Sequence, residues 1–200
     1  MKNIAIGIHL RREDIHVDAI PIGELWFSVI AVPDEQPLGD RELLLRVAKI
    51  RAELLARATF IAVRYGYVVA TPTIDPHWRE ILETNRHNVE MTLKVASASP
   101  KPRPRRQEFS SGSAYLRALH ESVAGVDDDF KRAAEKAVAP IQSRWLPRDN
   151  ASIEMAALIP RDRIEAVRSS GEQLKRDFPR VPFLLSGPWP LEVFANADRE

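Results

Sequence analysis

Histidine and carboxylate are the residue types with which this sequence could do chemistry, and their spacing argues against it. The five histidines fall at His9, His16, His77, His87 and His120, and none forms the four-residue pair with a glutamate by which one helix face holds zinc. His77 and His87 fall on one predicted helical stretch, separated by about 15 Å along its axis, too far to share a metal. All five therefore read as surface or partly buried side chains. Asp127, Asp128 and Asp129 run together where a helix is predicted to begin, so they are expected to accept from its free N–H groups and oppose its dipole rather than bind magnesium. The serines from Ser110 to Ser113, with Arg105 and Arg106 just upstream, could cradle an anion at a helix start. They lack the flanking glycines and Lys-Ser/Thr ending of a nucleotide loop, so a flexible cap is the simpler reading. There is no nucleophile elbow and no cofactor fingerprint. No catalytic, metal-ligating or cofactor-binding residue is assigned, no cofactor is expected, and the chain is expected not to be an enzyme.

Composition bounds the remaining classes. The chain has 200 residues, 44% of them hydrophobic, enough for one large or two small domains with a real core. Its 29 basic and 28 acidic side chains nearly cancel to a net charge of +1, so no overall field favours nucleic acid or an anionic membrane. The absence of cysteine removes disulfides and thiolate chemistry. IAIGIHL is followed at once by RRED without a small-residue cleavage site, and no apolar run approaches the roughly 18 residues of a membrane span. A cytoplasmic protein without membrane insertion is the expectation.

The elements that would position any site alternate in type, which makes the fold class α+β. KNIAIGIHL, HVDAI and ELWFSVIAVP read as three strands. Asp40 then caps a helix over DRELLLRVAKIRAELLARA, with Leu44, Val47, Ile50, Leu54 and Leu55 expected on its inner face. TFIAVRYGYVVA reads as a strand divided at Gly66, and TPTIDPHWREILETNRHN as a helix opened by Asp75 and Pro76. VEMTLKVASA is a further strand. PKPRPRRQ holds three prolines and four basic residues, so a flexible, exposed loop is expected over about 99–110. Beyond it, SSGSAYLRALHESVAG and DDDFKRAAEKAVAPIQSRW read as helical, SIEMAALIP as a buried strand, RDRIEAVRSSGEQLKRDF as a helix with Ile164, Val167 and Leu174 inward, and VPFLLSGPWP as a last strand. This predicts two small domains, 1–88 and 89–200, the second a βαβαβ-type sheet with helices packed on it.

Several of these segments, in this order, resemble the gas vesicle protein F/L family (GvpL/GvpF). The likeness runs through AVRYGYVV, LKVASA, SGSAYLRALHES, AALIPRDRIEAVRSSGEQL and LSGPWPLEVF, from about residue 58 onward. Its most specific element is Gly187-Pro188-Trp189-Pro190 after Ser186, with Phe194 following. Gly112, Ala114, Tyr115 and Leu116 match the family's Gly-x-Ala-Tyr-Leu helix start, and Arg64 and Gly66 its Arg-Phe-Gly, with Tyr65 in place of the phenylalanine. At the N-terminus, Ile4-Ala5-Ile6-Gly7 stands where the family has Tyr-Leu-Tyr-Gly.

The resemblance implies a two-domain α+β accessory protein whose N-terminal domain is a ferredoxin-like variant. It implies a minor structural component or assembly factor of the gas vesicle, binding the small apolar shell protein and other accessory proteins. A different reading is a binding module of another system that uses the basic loop 101–106 for an acidic partner. From the residues alone, Gly187 ends an apolar strand, and Pro188 and Pro190 hold Trp189 extended. Trp189 is expected to anchor the C-terminal tail on its own domain.

Overall fold

The structure, a computed structural model, describes residues 1–11, 17–69, 75–96, 111–114, 128–149 and 152–195. The fold is α+β with two four-stranded sheets, each in its own compact unit. The first unit holds residues 1–89 together with the stretch from Trp189 onward, and the second holds residues 90–188. The sequence alone predicts the C-terminal stretch as part of the second domain, 89–200.

The first unit opens with three strands, β1 (Lys2–Leu10), β2 (Ala19–Ile22) and β3 (Leu25–Val32), followed by helix α1 (Arg41–Arg57), strand β4 (Phe60–Ala62) and helix α2 (His77–Thr84). The sheet order is β2-β3-β1-β4, and β1 runs antiparallel to both β3 and β4. As a central strand β1 buries both faces, which is why it reads as a continuous apolar run rather than an alternating one. Ile4, Ile6, Ile30 and Val32 form a core with Leu43, Val47 and Leu54 of α1 and with Phe60. The Asp40 side chain accepts from the Leu43 N–H at 2.8 Å, capping α1. The inner face of α1 differs from the expected one by a residue: Leu43 is fully buried and Leu44 is 43% exposed. Counting back in helical steps from Leu54 through Ile50 and Val47 reaches Leu43, and both leucines satisfy the pattern approximately.

The second unit contains β5 (Asn88–Ala96), α3 (Asp128–Val138), β6 (Gln142–Asp149), β7 (Ser152–Pro160), a short 3-10 turn (Arg161–Arg163), α4 (Ile164–Asp177) and β8 (Phe183–Trp189). Its sheet order is β6-β7-β5-β8. The chain order β-α-β-β-α-β with this sheet order is the ferredoxin-like split βαβ. Fully buried Phe130 of α3 meets Phe178 edge-on at 5.3 Å and Phe183 at 5.4 Å, so one ring joins α3, the end of α4 and the start of β8.

One predicted helix is corrected. The sequence reading continues the helix of α3 through Trp145, whereas the helix ends at Val138 and QSRWLPRD is strand β6, paired antiparallel with β7. Ala139 takes a left-handed φ of 43° and Pro140 follows. A proline disfavours the helical conformation of the residue before it and offers no N–H to continue the ladder, so the helix must end there. Trp145 then points back and donates to Glu135 Oε1 at 2.8 Å, tying β6 to the helix it was expected to extend.

Candidate interaction surface

The Gly-Pro-Trp-Pro segment begins as the last part of an edge strand. The Ala96 N–H donates to the Pro182 carbonyl at 3.0 Å and the Ser186 hydroxyl to the Thr92 carbonyl at 3.5 Å, so β8 descends antiparallel along β5. At Gly187 the backbone reaches φ 121°, and an added Cβ would stand 2.7 Å from Met91 Sδ and 3.0 Å from the Glu90 carbonyl oxygen. Only glycine fits a position with both that conformation and that approach. The Gly187–Pro188 bond is cis, and Arg168 Nη2 donates to the Gly187 carbonyl at 3.1 Å.

Past Gly187 the roles differ from those expected. Trp189 is 48% exposed and does not anchor the tail. The anchors are Leu191, wholly buried, and Phe194, 7% exposed. The Leu191 N–H donates to the Phe60 carbonyl at 2.8 Å and its carbonyl accepts from the Ala62 N–H at 3.4 Å, so the tail pairs with edge strand β4. Because Pro190 fixes an extended backbone and lacks an N–H, the first residue able to join that edge is Leu191. The bridge between Ile61 and Leu191 is parallel.

Arg64, Tyr65 and Gly66 leave the other end of β4. The Tyr67 N–H closes the turn on the Arg64 carbonyl at 3.3 Å, and Gly66 has φ 87°. The Tyr65 hydroxyl donates to the Leu38 carbonyl, and Tyr65 packs against the core of the unit. Arg64 itself is exposed. Arg51 of α1 donates to the carbonyls of Ile6, at 3.3 Å, and Val63, which fixes the start of this turn. Burial lowers the Arg51 pKa from its ordinary value, partly offset by the charge of Glu192 in the tail. Two of the sequence motifs, the 64–66 turn and the 191–194 tail, therefore border the same strand.

The third motif stands apart. Gly112 and Ala114 lie in a helical stretch opened by Ser111, whose hydroxyl accepts from the Ala114 N–H at 3.1 Å, while Tyr115 and Leu116 lie outside the described residues. The basic loop 101–106, like His16, His120 and Asp127, also lies outside them. Asp128 and Asp129 occupy the first turn of α3, each ion-paired three residues on, with Lys131 and Arg132. His9 departs from the surface reading: it is fully buried, with Nε2 and Ser28 Oγ 2.8 Å apart and Nδ1 2.8 Å from the Leu10 carbonyl. Among the described residues no three His, Asp or Glu side chains are grouped to hold a metal.

Two structural residues escaped the sequence reading. Gly7 of β1 lies under Phe60, where an added Cβ would be 2.4 Å from Cδ2 of the ring and 3.0 Å from the Ile61 carbonyl oxygen. Leu191 stands inside the quoted motif, with no local signal separating it from other apolar residues there. Both roles require knowing which strand lies alongside.

A family model described as gas vesicle synthesis protein GvpL/GvpF matches residues 7–195. The chain belongs to the GvpL/GvpF family. No curated protein sequence matches it. Among solved structures it is similar to GvpF from an Anabaena species, with 16% identity, TM-score 0.66, and coverage of 98% of this chain and 96% of that one. It is likewise similar to GvpF from Microcystis aeruginosa, with 14% identity, TM-score 0.67, and coverage of 97% of this chain and 98% of that one. At these identities the likeness is one of fold, and it extends over both α+β units of this GvpL/GvpF member. None of its helices among the described residues is long and apolar enough to cross a membrane.

Proposed function

We propose that this GvpL/GvpF protein is a non-enzymatic accessory protein of gas vesicle formation, binding the small apolar shell protein and other accessory proteins in the cytoplasm and at the vesicle. The observation that carries the reading is the family match over residues 7–195. Exposed apolar side chains support it. In the first unit Leu44, Leu45, Tyr67 and Val68 are between 43% and 62% exposed, and in the second unit Ile141 and Leu184 are 58% and 62% exposed. A shell subunit with a largely apolar surface needs cover before it polymerises, and side chains of this kind supply it.

The reading assigns the family motifs two kinds of work. Gly66, Gly187 and Phe194 hold backbone and tail in place, whereas Arg64 and Trp189 are exposed and offered to partners. The test is turbidity of purified shell protein with and without the purified chain. Suppressed aggregation that is lost in a Leu45→Glu/Val68→Glu variant with an unchanged melting temperature is the expected result. A shell protein that aggregates equally with and without the chain would refute the reading.

A further inference from the structure

Within the first unit, the end of β1, the entry to β4 and the turn after α2 line an open cavity of about 260 Å³. Its apolar walls are Leu10, Ala58 and Leu82, the last two almost wholly buried. Its polar lining is Thr59 together with three basic side chains, Arg11, Arg86 and His87. Among the described residues, no carboxylate lines it.

The surrounding backbone is held firmly. The Thr59 hydroxyl donates to the carbonyls of Asn88, at 2.7 Å, and Arg86, at 3.1 Å, so the turn bearing Arg86 and His87 is fastened to the start of β4. Within that turn Asn88 Nδ2 donates to Asn85 Oδ1 at 2.9 Å, and Asn85 Nδ2 to the Ile81 carbonyl at 2.9 Å. Across the cavity the Arg11 N–H donates to the Glu24 carbonyl at 3.2 Å, and its guanidinium stands 5.9 Å from the centre of the Trp26 ring. The basic groups thus come from two separately fixed segments.

Among the described residues, their charges are not balanced. Arg79, on α2 nearby in sequence, pairs with Glu24 at 2.6 Å and Glu83 at 3.1 Å. Among the described residues no carboxylate forms an ion pair with Arg11 or Arg86. Two guanidiniums lining one concave site with low-dielectric walls raise the local potential, although the chain as a whole carries only +1. An anion between them relieves that repulsion, and a planar guanidinium matches a carboxylate or phosphate edge.

We propose that this cavity binds a small organic oxyanion, its phosphate or carboxylate head held by Arg11 and Arg86 and a short aliphatic body lying against Leu10, Ala58 and Leu82. Size limits the ligand. At roughly 30 Å³ for each water-sized unit, the space takes about nine such units, which suits a body of a few carbons.

The test is titration of the full chain with inorganic phosphate, butyl phosphate and butyrate, followed by calorimetry and by the backbone amide signals of Thr59 and His87. Saturable binding of butyl phosphate, tighter than that of inorganic phosphate and weakened at least about tenfold in Arg11→Gln/Arg86→Gln, is expected. The free double variant should melt close to the parent, because it loses a repulsion and the exposed Arg11–Trp26 ring contact but, among the described residues, no ion pair. Arg176→Gln, in the second unit, should bind as the parent does. Saturable binding of butyrate alone also upholds the proposal and assigns a carboxylate head. The proposal is overturned by no saturable binding of any of the three, by equal binding in parent and double variant, or by inorganic phosphate binding as tightly as butyl phosphate.

Discussion

Leu191 pairs in parallel with Ile61, placing the residue after Gly-Pro-Trp-Pro on the free edge of β4. Its side chain is fully buried, whereas that of Trp189, two residues earlier, is 48% exposed. The motif therefore has a structural end and an exposed one. Leu191→Ala should cost about 2–5 kcal/mol, the range for truncating a buried leucine, and Trp189→Ala less than about 1 kcal/mol. Urea unfolding of the two variants checks the order, and a larger loss for the tryptophan variant would contradict it.

At Gly187 an added methyl meets both a strained backbone and its neighbours. Gly187→Ala combines the left-handed penalty with contact against the Glu90 carbonyl oxygen, which is held in the sheet and does not yield. A loss of roughly 2–4 kcal/mol is expected, seen as a lower denaturant midpoint.

Gly7 and Gly171 separate two kinds of crowding. Gly7→Ala would drive a methyl into the fully buried Phe60 ring and the Ile61 carbonyl oxygen, and should cost roughly 1–3 kcal/mol or more. Gly171→Ala meets only Leu185 Cδ2, at 2.6 Å, the far end of a side chain able to rotate, and gains helix propensity of about 1 kcal/mol within α4. Thermal melts should place Gly171→Ala close to the parent or above it and Gly7→Ala well below.

Arg51 holds two carbonyls, one on β1 and one just past the end of β4. Arg51→Met keeps much of the stem but leaves the Ile6 and Val63 carbonyls without that donor, and should cost about 1–3 kcal/mol. Arg51→Lys should recover only part of the loss, since an ammonium lacks the planar fork that reaches both. Equal stability of the lysine variant and the parent would show that position and charge alone suffice.

The sequence by itself carried the α+β class, the helix started by Asp40, the buried strand SIEMAALIP, and the family. These are legible because they depend on local chemistry: a side-chain cap, an apolar run, and an ordered set of short motifs. The end of α3 shows where local reading stops. AVAPIQSRW has helical neighbours, and only the pairing of Gln142–Asp149 with β7 makes its second half a strand. The same holds for Leu43 over Leu44, where the orientation of α1 on its sheet chose between adjacent leucines.

Only the tertiary structure decided which motif residues are structural and which are exposed. A tryptophan between prolines and a leucine just after them look equally suited to anchoring, until the edge of β4 takes Leu191 and leaves Trp189 half exposed. Gly7 needs Phe60 of β4, and the cavity needs Arg11 and Arg86, which are 75 positions apart in the sequence. Local pattern fixes what a segment can become because its causes lie within a few residues. Which surfaces are covered, and which charges stand unpaired, depends on partners distant in the chain, and those are set when the sheets assemble.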